Sequence, residues 1–169
     1  ERYCELAEVK VSNLHPVTTP CMDDHQIPPE DFQTKGKLTE QAARIVLKAL
    51  YLARMLRVDL LWAVNSLARE VTRWSLACDR RLHRLMCYIH HNAHMVQRCV
   101  VGDLISACTL AQFTDASFAG DLKDSKSTSG AFLCLAGPNT FVPLSWICKK
   151  QGAVSHSSSD CLLYTSDAA

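Results

Sequence analysis

Residues 130–148 read GAFLCLAGPNTFVPLSWIC. Two apolar runs, Gly130 to Gly137 and Thr140 to Cys148, flank Gly137-Pro138-Asn139. Short apolar runs bounded by turn formers predict strands, and the Gly-Pro-Asn link predicts a hairpin. Pro143 inside the second run has no N–H to give a neighbour, so that strand is expected at a sheet edge. Upstream, LAQFTDASF, Leu110 to Phe118, predicts one more short strand. Downstream, Ser155 to Ser159 supplies hydroxyls suited to opening a helix.

Outward toward the N-terminus the period changes from strand to helix. Ala42, Ile45, Val46, Ala49, Leu50 and Ala53 form one stripe, with Thr39 as the expected N-cap. A second helix is expected from Asp59, itself a good N-cap, with Leu60, Val64, Leu67 and Val71 on its apolar side. A third follows Trp74-Ser75, with Leu82, Leu85, Met86 and Ile89 on one face. Residues 38–95 thus predict a small helical subdomain. Residues 1–37 carry Pro16, Pro20, Pro28 and Pro29 among acidic residues, which predicts an extended connector along the surface. The fold class is mixed, α/β of the α+β kind: helices first, strands after.

Composition narrows the function classes. Of 169 residues, 48% are apolar and the formal net charge is +1. The chain can build a packed core. It has no bulk electrostatic pull on a polyanion, so nucleic-acid binding would need a local patch. Nine cysteines without a CxxC pair predict free thiols in a reducing, intracellular setting. No apolar stretch approaches the roughly 20 residues of a membrane span. No secretory signal opens the chain.

Three groups could carry chemistry. Cys21-Met22-Asp23-Asp24-His25 places two aspartates side by side, but prolines flank the pair where a catalytic hairpin would need apolar strands, so a solvated acidic loop is expected. His83, Cys87, His90 and His94 share a helical face if the helix runs that far, and their side chains are zinc ligands by type. One straight stripe spreads them over about 16 Å at ~1.5 Å per residue, so only neighbouring pairs could share an ion. Asp115 follows Phe113 in the first strand; a carboxylate there suits either a turn or a hard cation such as Mg²⁺. A charge sunk beside Phe113 would have to be compensated.

The string around Asp115 raises the second option. DASFAGDLKDSKSTSG, Asp115 to Gly130, is followed by LSWICKKQGAVSHSSSD, Leu144 to Asp160. In order and spacing these resemble the ribonuclease H domain of copia-type retrotransposon polyproteins, with its DA-x-x-AG-D, STSG, SW-x-x-KKQ and serine-rich acidic motifs. VDLLWAVNSLAR, Val58 to Arg69, and RLMCYIHHN, Arg84 to Asn92, are similar to segments of the same family's reverse transcriptase thumb and connection. The resemblance runs to Asp160.

It implies an incomplete ribonuclease H-like fold over residues 104–160, with three antiparallel strands and the third at the edge. It implies Mg²⁺-dependent hydrolysis of RNA in RNA–DNA hybrids, by two ions held on acidic residues. Asp115 matches the first of those carboxylates, and Asp160 stands where the family has a glutamate. Ser117-Phe118 stands where Asp-Trp is common. Beyond Asp160 the family's helix is replaced by CLLYTSDAA, Cys161 to Ala169, which resembles a translated sequencing adapter. The chain is then a fragment of a polyprotein, inactive alone, whose partners are the hybrid and the rest of the polyprotein. Its shortened sheet predicts marginal stability. The competing reading is a non-catalytic helical module holding nucleic acid through Arg80, Arg81 and Arg84, or zinc through the His/Cys stripe.

Overall fold

The computed structural model describes residues 2–118 and 125–158. It divides into two compact units, Glu1–Val96 and Gln97–Ala169. The first is helical and the second is a three-stranded antiparallel sheet, so the chain is α+β.

In the helical unit, α1 (Arg2–Ala7) precedes α2 (Ala42–Met55), α3 (Leu61–Ala68) and α4 (Leu76–His91). The stripe on α2 is buried at Ala42, Ile45, Val46, Ala49 and Ala53, as a 3.6 period requires. It packs on α3, whose Leu61, Ala63, Val64 and Leu67 are buried. Leu82 and Leu85 of α4 are fully buried. Thr39 does not cap α2. Its hydroxyl donates to the Gly36 carbonyl at 2.6 Å, and the helix begins three residues later. Asp59 is not a cap either, because Arg57 takes its carboxylate in a bidentate pair at 2.9 and 2.8 Å.

The proline-rich start is not an extended surface strand. Tyr3, Cys4, Leu14 and Ile27 are buried, and short 3₁₀ turns occupy Val11–Asn13, Asp24–Gln26 and Pro29–Phe32. Proline forbids regular ladders but not compact turns, and Pro29 opens one of these turns. Its acidic groups meet arginines of α4: Asp31 pairs with Arg80, and Asp24 with Arg81. Farther along, Thr34 to Gly36 runs against Trp74 to Leu76, with Gly36 N–H donating to Trp74 O at 3.1 Å and Leu76 N–H to Thr34 O at 2.8 Å. Gly36 fits because a Cβ there would lie 2.5 Å from Trp74 Cδ1 and 2.6 Å from Ser75 O.

The second unit holds β1 (Thr109–Ser117), β2 (Thr128–Gly137) and β3 (Thr140–Lys150), in the order β1-β2-β3. The hairpin falls where Gly137-Pro138-Asn139 predicts it, with Gly137 opposite Thr140. Neither turn residue has a positive φ. A two-residue turn without positive φ matches strand twist poorly, and Asp103 braces it from outside. Its carboxylate accepts the Asn139 amide at 2.7 Å and Asn139 Nδ2 at 3.2 Å. Pro143 lies in β3, on the edge away from β1. The register slips beside it, Cys134 facing Pro143 while Leu133 faces Ser145, so Leu144 is the extra residue of a bulge. Near the turn, Val100 and Phe141 exchange both backbone hydrogen bonds, at 3.0 and 2.8 Å.

Cys134 is the only buried apolar side chain among the described residues of this unit. Leu110 and Phe113 of β1 are each 61% exposed. One face carries Phe132 stacked with Phe141 and with Trp146, centroids 6.3 and 6.4 Å apart.

Candidate functional site

The sequence strings that flank Asp115 meet at one end of the sheet. Register puts Asp115 opposite Gly130 and Gly130 opposite Cys148; the next rows are Ala116, Ser129 and Lys149, then Ser117, Thr128 and Lys150. Alternation sets Asp115 on the same face as Phe113, Phe132 and Trp146. Gly130 leaves room beside it, since a Cβ there would meet only Asp115 O, at 3.8 Å.

A polar cluster ties these strings together. Ser127 and Ser129 of STSG are buried, and so is Ser155. Gln151 of KKQ donates its backbone N–H to Ser127 O at 2.8 Å and its Nε2 to Ser129 Oγ at 2.8 Å. Ser155 donates its hydroxyl to Gln151 Oε1, also at 2.8 Å. Ser155 thus serves as an internal tie, while Ser158 of the run expected to open a helix is helical and the residues after it lie outside the described ones. Buried hydroxyls and amides are retained when each finds a partner, and this cluster satisfies that condition. Sequence reasoning did not single out Gln151 or the serines as a network. The motif order was the available signal, because no periodicity marks residues joined across 22 positions.

Asp115 itself is exposed on an edge strand, so no burial penalty attaches to its charge. The apolar neighbour that suggested burial, Phe113, is exposed too. One carboxylate oxygen, Oδ1, accepts the Ala116 N–H at 2.8 Å, which orients the side chain. Asp160 lies outside the described residues. Among the described residues no three His, Cys, Asp or Glu side chains converge on a point that could hold a metal ion. Asp115 could supply one oxygen ligand to Mg²⁺, but the described residues do not assemble a site for it.

The other candidates are drawn into structural roles. Asp24 is spent on Arg81, which also lies over the Phe32 ring, 5.4 Å from its centroid. Arg84 donates to Thr19 O at 3.1 Å and Thr19 Oγ1 at 2.9 Å. Arg80, Arg81 and Arg84 therefore fasten the N-terminal segment to α4 instead of offering an open basic row. The His/Cys stripe is interrupted because α4 ends at His91, leaving His94 beyond the helix. His83 bridges Tyr3 Oη at 3.0 Å and Cys87 Sγ at 3.6 Å. Burial raises the Cys87 thiol above its ordinary range, opposing the thiolate that zinc requires. The eight described cysteines are free thiols, four of them buried.

Asp79, which the sequence did not single out, organises the helical unit. It accepts Lys37 N–H at 2.6 Å, Leu38 N–H at 3.3 Å and Trp74 Nε1–H at 2.7 Å. No described helix is long and apolar enough to cross a membrane.

No family model, curated protein or solved structure matches this chain.

Proposed function

We propose that this chain is part of a copia-type retrotransposon polyprotein. On this reading it holds the end of the reverse transcriptase region and the start of the ribonuclease H domain. The parent hydrolyses the RNA strand of RNA–DNA hybrids with Mg²⁺, and this chain alone does not. The observation that carries the reading is the ordered series DASFAGD, STSG, SWICKKQ and SHSSSD. What supports it is that residues from all four strings fall at one end of the sheet. A shared motif order with no common physical cause would not require that.

Asp115 is the residue assigned to the chemistry, as one carboxylate ligand. Two bound Mg²⁺ ions would supply the activated water and stabilise the leaving oxygen in the intact parent. Here the strand presents the carboxylate outward and the Ala116 amide orients it. A single carboxylate leaves most of the charge of two divalent ions unbalanced. The exposed sheet side chains Leu110, Phe113 and Leu144 accord with a sheet that has further cover in the parent.

The test is a labelled RNA–DNA hybrid incubated with Mg²⁺ and either this chain or a chain extended by the native reading frame past Asp160. The expected result is cleavage by the extended chain only, abolished in Asp115→Asn. Undiminished cleavage by the extended Asp115→Asn variant would overturn the assignment. Sequencing genomic template across the junction decides the tail: an uninterrupted template encoding CLLYTSDAA would sink the adapter reading.

A further inference from the structure

Arg57 is buried, its side chain 7% exposed, so its N–H groups depend on the protein for acceptors. Nε and Nη2 hold the Asp59 carboxylate, and Nη1 reaches Asn92 O. Nη2 has a second acceptor, the Met95 sulfur at 3.7 Å. The Tyr88 hydroxyl meets the same sulfur at 3.9 Å and also faces Asp59. A thioether is a weak acceptor, so two strong donors converge on a poor partner. Met95 lies just beyond α4, where its own N–H donates to Asn92 O at 3.1 Å. It is 45% exposed, so solvent reaches it while both donor residues are buried. Met55 on α2 is exposed to a similar degree, 53%, and none of the hydrogen bonds among the described residues ends on its sulfur.

We propose that Met95 is a site of reversible oxidation, at which hydrogen peroxide converts the thioether to a sulfoxide whose oxygen is held by Arg57 and Tyr88. A sulfur lone pair attacks one peroxide oxygen and the O–O bond breaks. Sulfur gives up two electrons and the peroxide takes them. The second oxygen leaves as water, carrying both peroxide protons. The product is polar and chiral, and methionine sulfoxide reductases return it to the thioether. The distances suit the product better than the thioether. An S–O bond of about 1.5 Å and an acceptor contact of about 2.8 Å together span 3.7 or 3.9 Å at an angle of roughly 115–130° on the oxygen. Neither donor has to move to make a bond of ordinary length. A sulfoxide oxygen is a strong acceptor and the Arg57 donor is charged, so the new bonds exceed those they replace. Oxidation disrupts a methionine that fills a core, but Met95 is exposed and loses little packing. The sulfoxide therefore fastens the chain just beyond α4 to Arg57. The site depends on neither Asp115 nor a metal, and it stands apart from the polyprotein reading.

The folded full chain is treated with limiting hydrogen peroxide, and peptide mass spectrometry reads the added oxygen at Met22, Met55, Met86 and Met95. Reductases specific for each epimer then separate the two sulfoxide configurations. One epimer should dominate at Met95 by about fivefold or more, because the donors favour one lone pair by about one hydrogen bond, while Met55 should give near-equal amounts. Tyr88→Phe and Arg57→Lys each weaken the donor set and should bring the Met95 ratio toward equality. Tyr88→Phe keeps the buried ring, so its result does not turn on loss of the fold. The change in urea midpoint on oxidation, parent minus Met95→Leu, isolates Met95 and should be a rise of about 0.3–0.5 M. Reductase treatment should reverse it. Near-equal epimers at Met95 overturn the proposal, and so does a midpoint that stays level or falls. An excess that survives in both Tyr88→Phe and Arg57→Lys also overturns it.

Discussion

Arg57 is the side chain whose removal should cost the helical unit most for its size. It is buried, its side chain 7% exposed, yet every arm is engaged. Nε and Nη2 hold the Asp59 carboxylate at 2.9 and 2.8 Å, and Nη1 donates to Asn92 O, at the C-terminal end of α4, at 2.9 Å. The guanidinium also lies 5.8 Å from the Tyr88 ring centroid. Arg57→Ala removes these bonds and leaves a void, while the Asp59 side chain is 33% exposed and can regain water. Breaking a fully buried pair costs about 3–5 kcal/mol, and the partial exposure of Asp59 lowers the expectation to about 2–3 kcal/mol. Arg57→Lys keeps the charge but loses the bidentate geometry, for about 1–2 kcal/mol. Urea unfolding followed by circular dichroism at the helical band reads this directly. With a slope of about 2 kcal/mol per M, Arg57→Ala should drop the midpoint by about 1 M or more. The pH dependence adds an independent signature. Burial raises the Asp59 carboxyl, but the Arg57 hydrogen bonds and charge outweigh it and leave the carboxyl below its ordinary value. The folded state therefore gains stability above the unfolded carboxylate range and loses it as pH falls through the folded value. Arg57→Ala should flatten that acid limb. A midpoint within about 0.2 M of the parent would refute the account of Arg57 as the tie to the end of α4.

Gly36→Ala should destabilise the helical unit by about 1–3 kcal/mol, because the new Cβ meets the Trp74 ring and Ser75 backbone and the backbone cannot swing aside; a thermal melt within 1 °C of the parent would contradict this. Asp103→Ala should speed hydrogen exchange at the Asn139 amide. The Asn139 amide first, then the Thr140 hydroxyl, hold the Asp103 carboxyl below its ordinary range. Protection should be complete above the ordinary carboxylate range and fade as pH falls through the lowered value. Asp115→Asn should change stability by no more than about 0.5 kcal/mol, since the side chain is exposed. A larger shift would make any lost cleavage in the extended chain a folding effect rather than a chemical one.

Much of the architecture was legible in the chain because it rests on local rules. The α2 stripe follows from a 3.6 period: Ala42, Ile45, Val46, Ala49 and Ala53 are buried and Leu50, at its margin, is half-buried. The β2–β3 hairpin follows from turn chemistry at Gly137-Pro138-Asn139. Pro143 predicts an edge strand because it lacks a donor, and the bulge beside it is the local consequence. Asp115 was legible as a candidate only through the strings behind it. Its burial was misjudged because an apolar run reads alike whether both faces are covered or one edge is open.

The set of elements and the order of the motifs were therefore legible in the chain. Tertiary structure alone decided which charges are spent. Asp31 reaches Arg80 across 49 positions and Asp24 reaches Arg81 across 57, and no periodicity encodes pairings of that length. Those contacts fold the proline-rich start onto α4 and pair Arg80 and Arg81, while Arg84 meets Thr19. Thr39 and Asp59, both expected caps, are instead partners of Gly36 and Arg57. A capping residue competes with every other donor and acceptor in reach, and only the folded chain settles which of them wins.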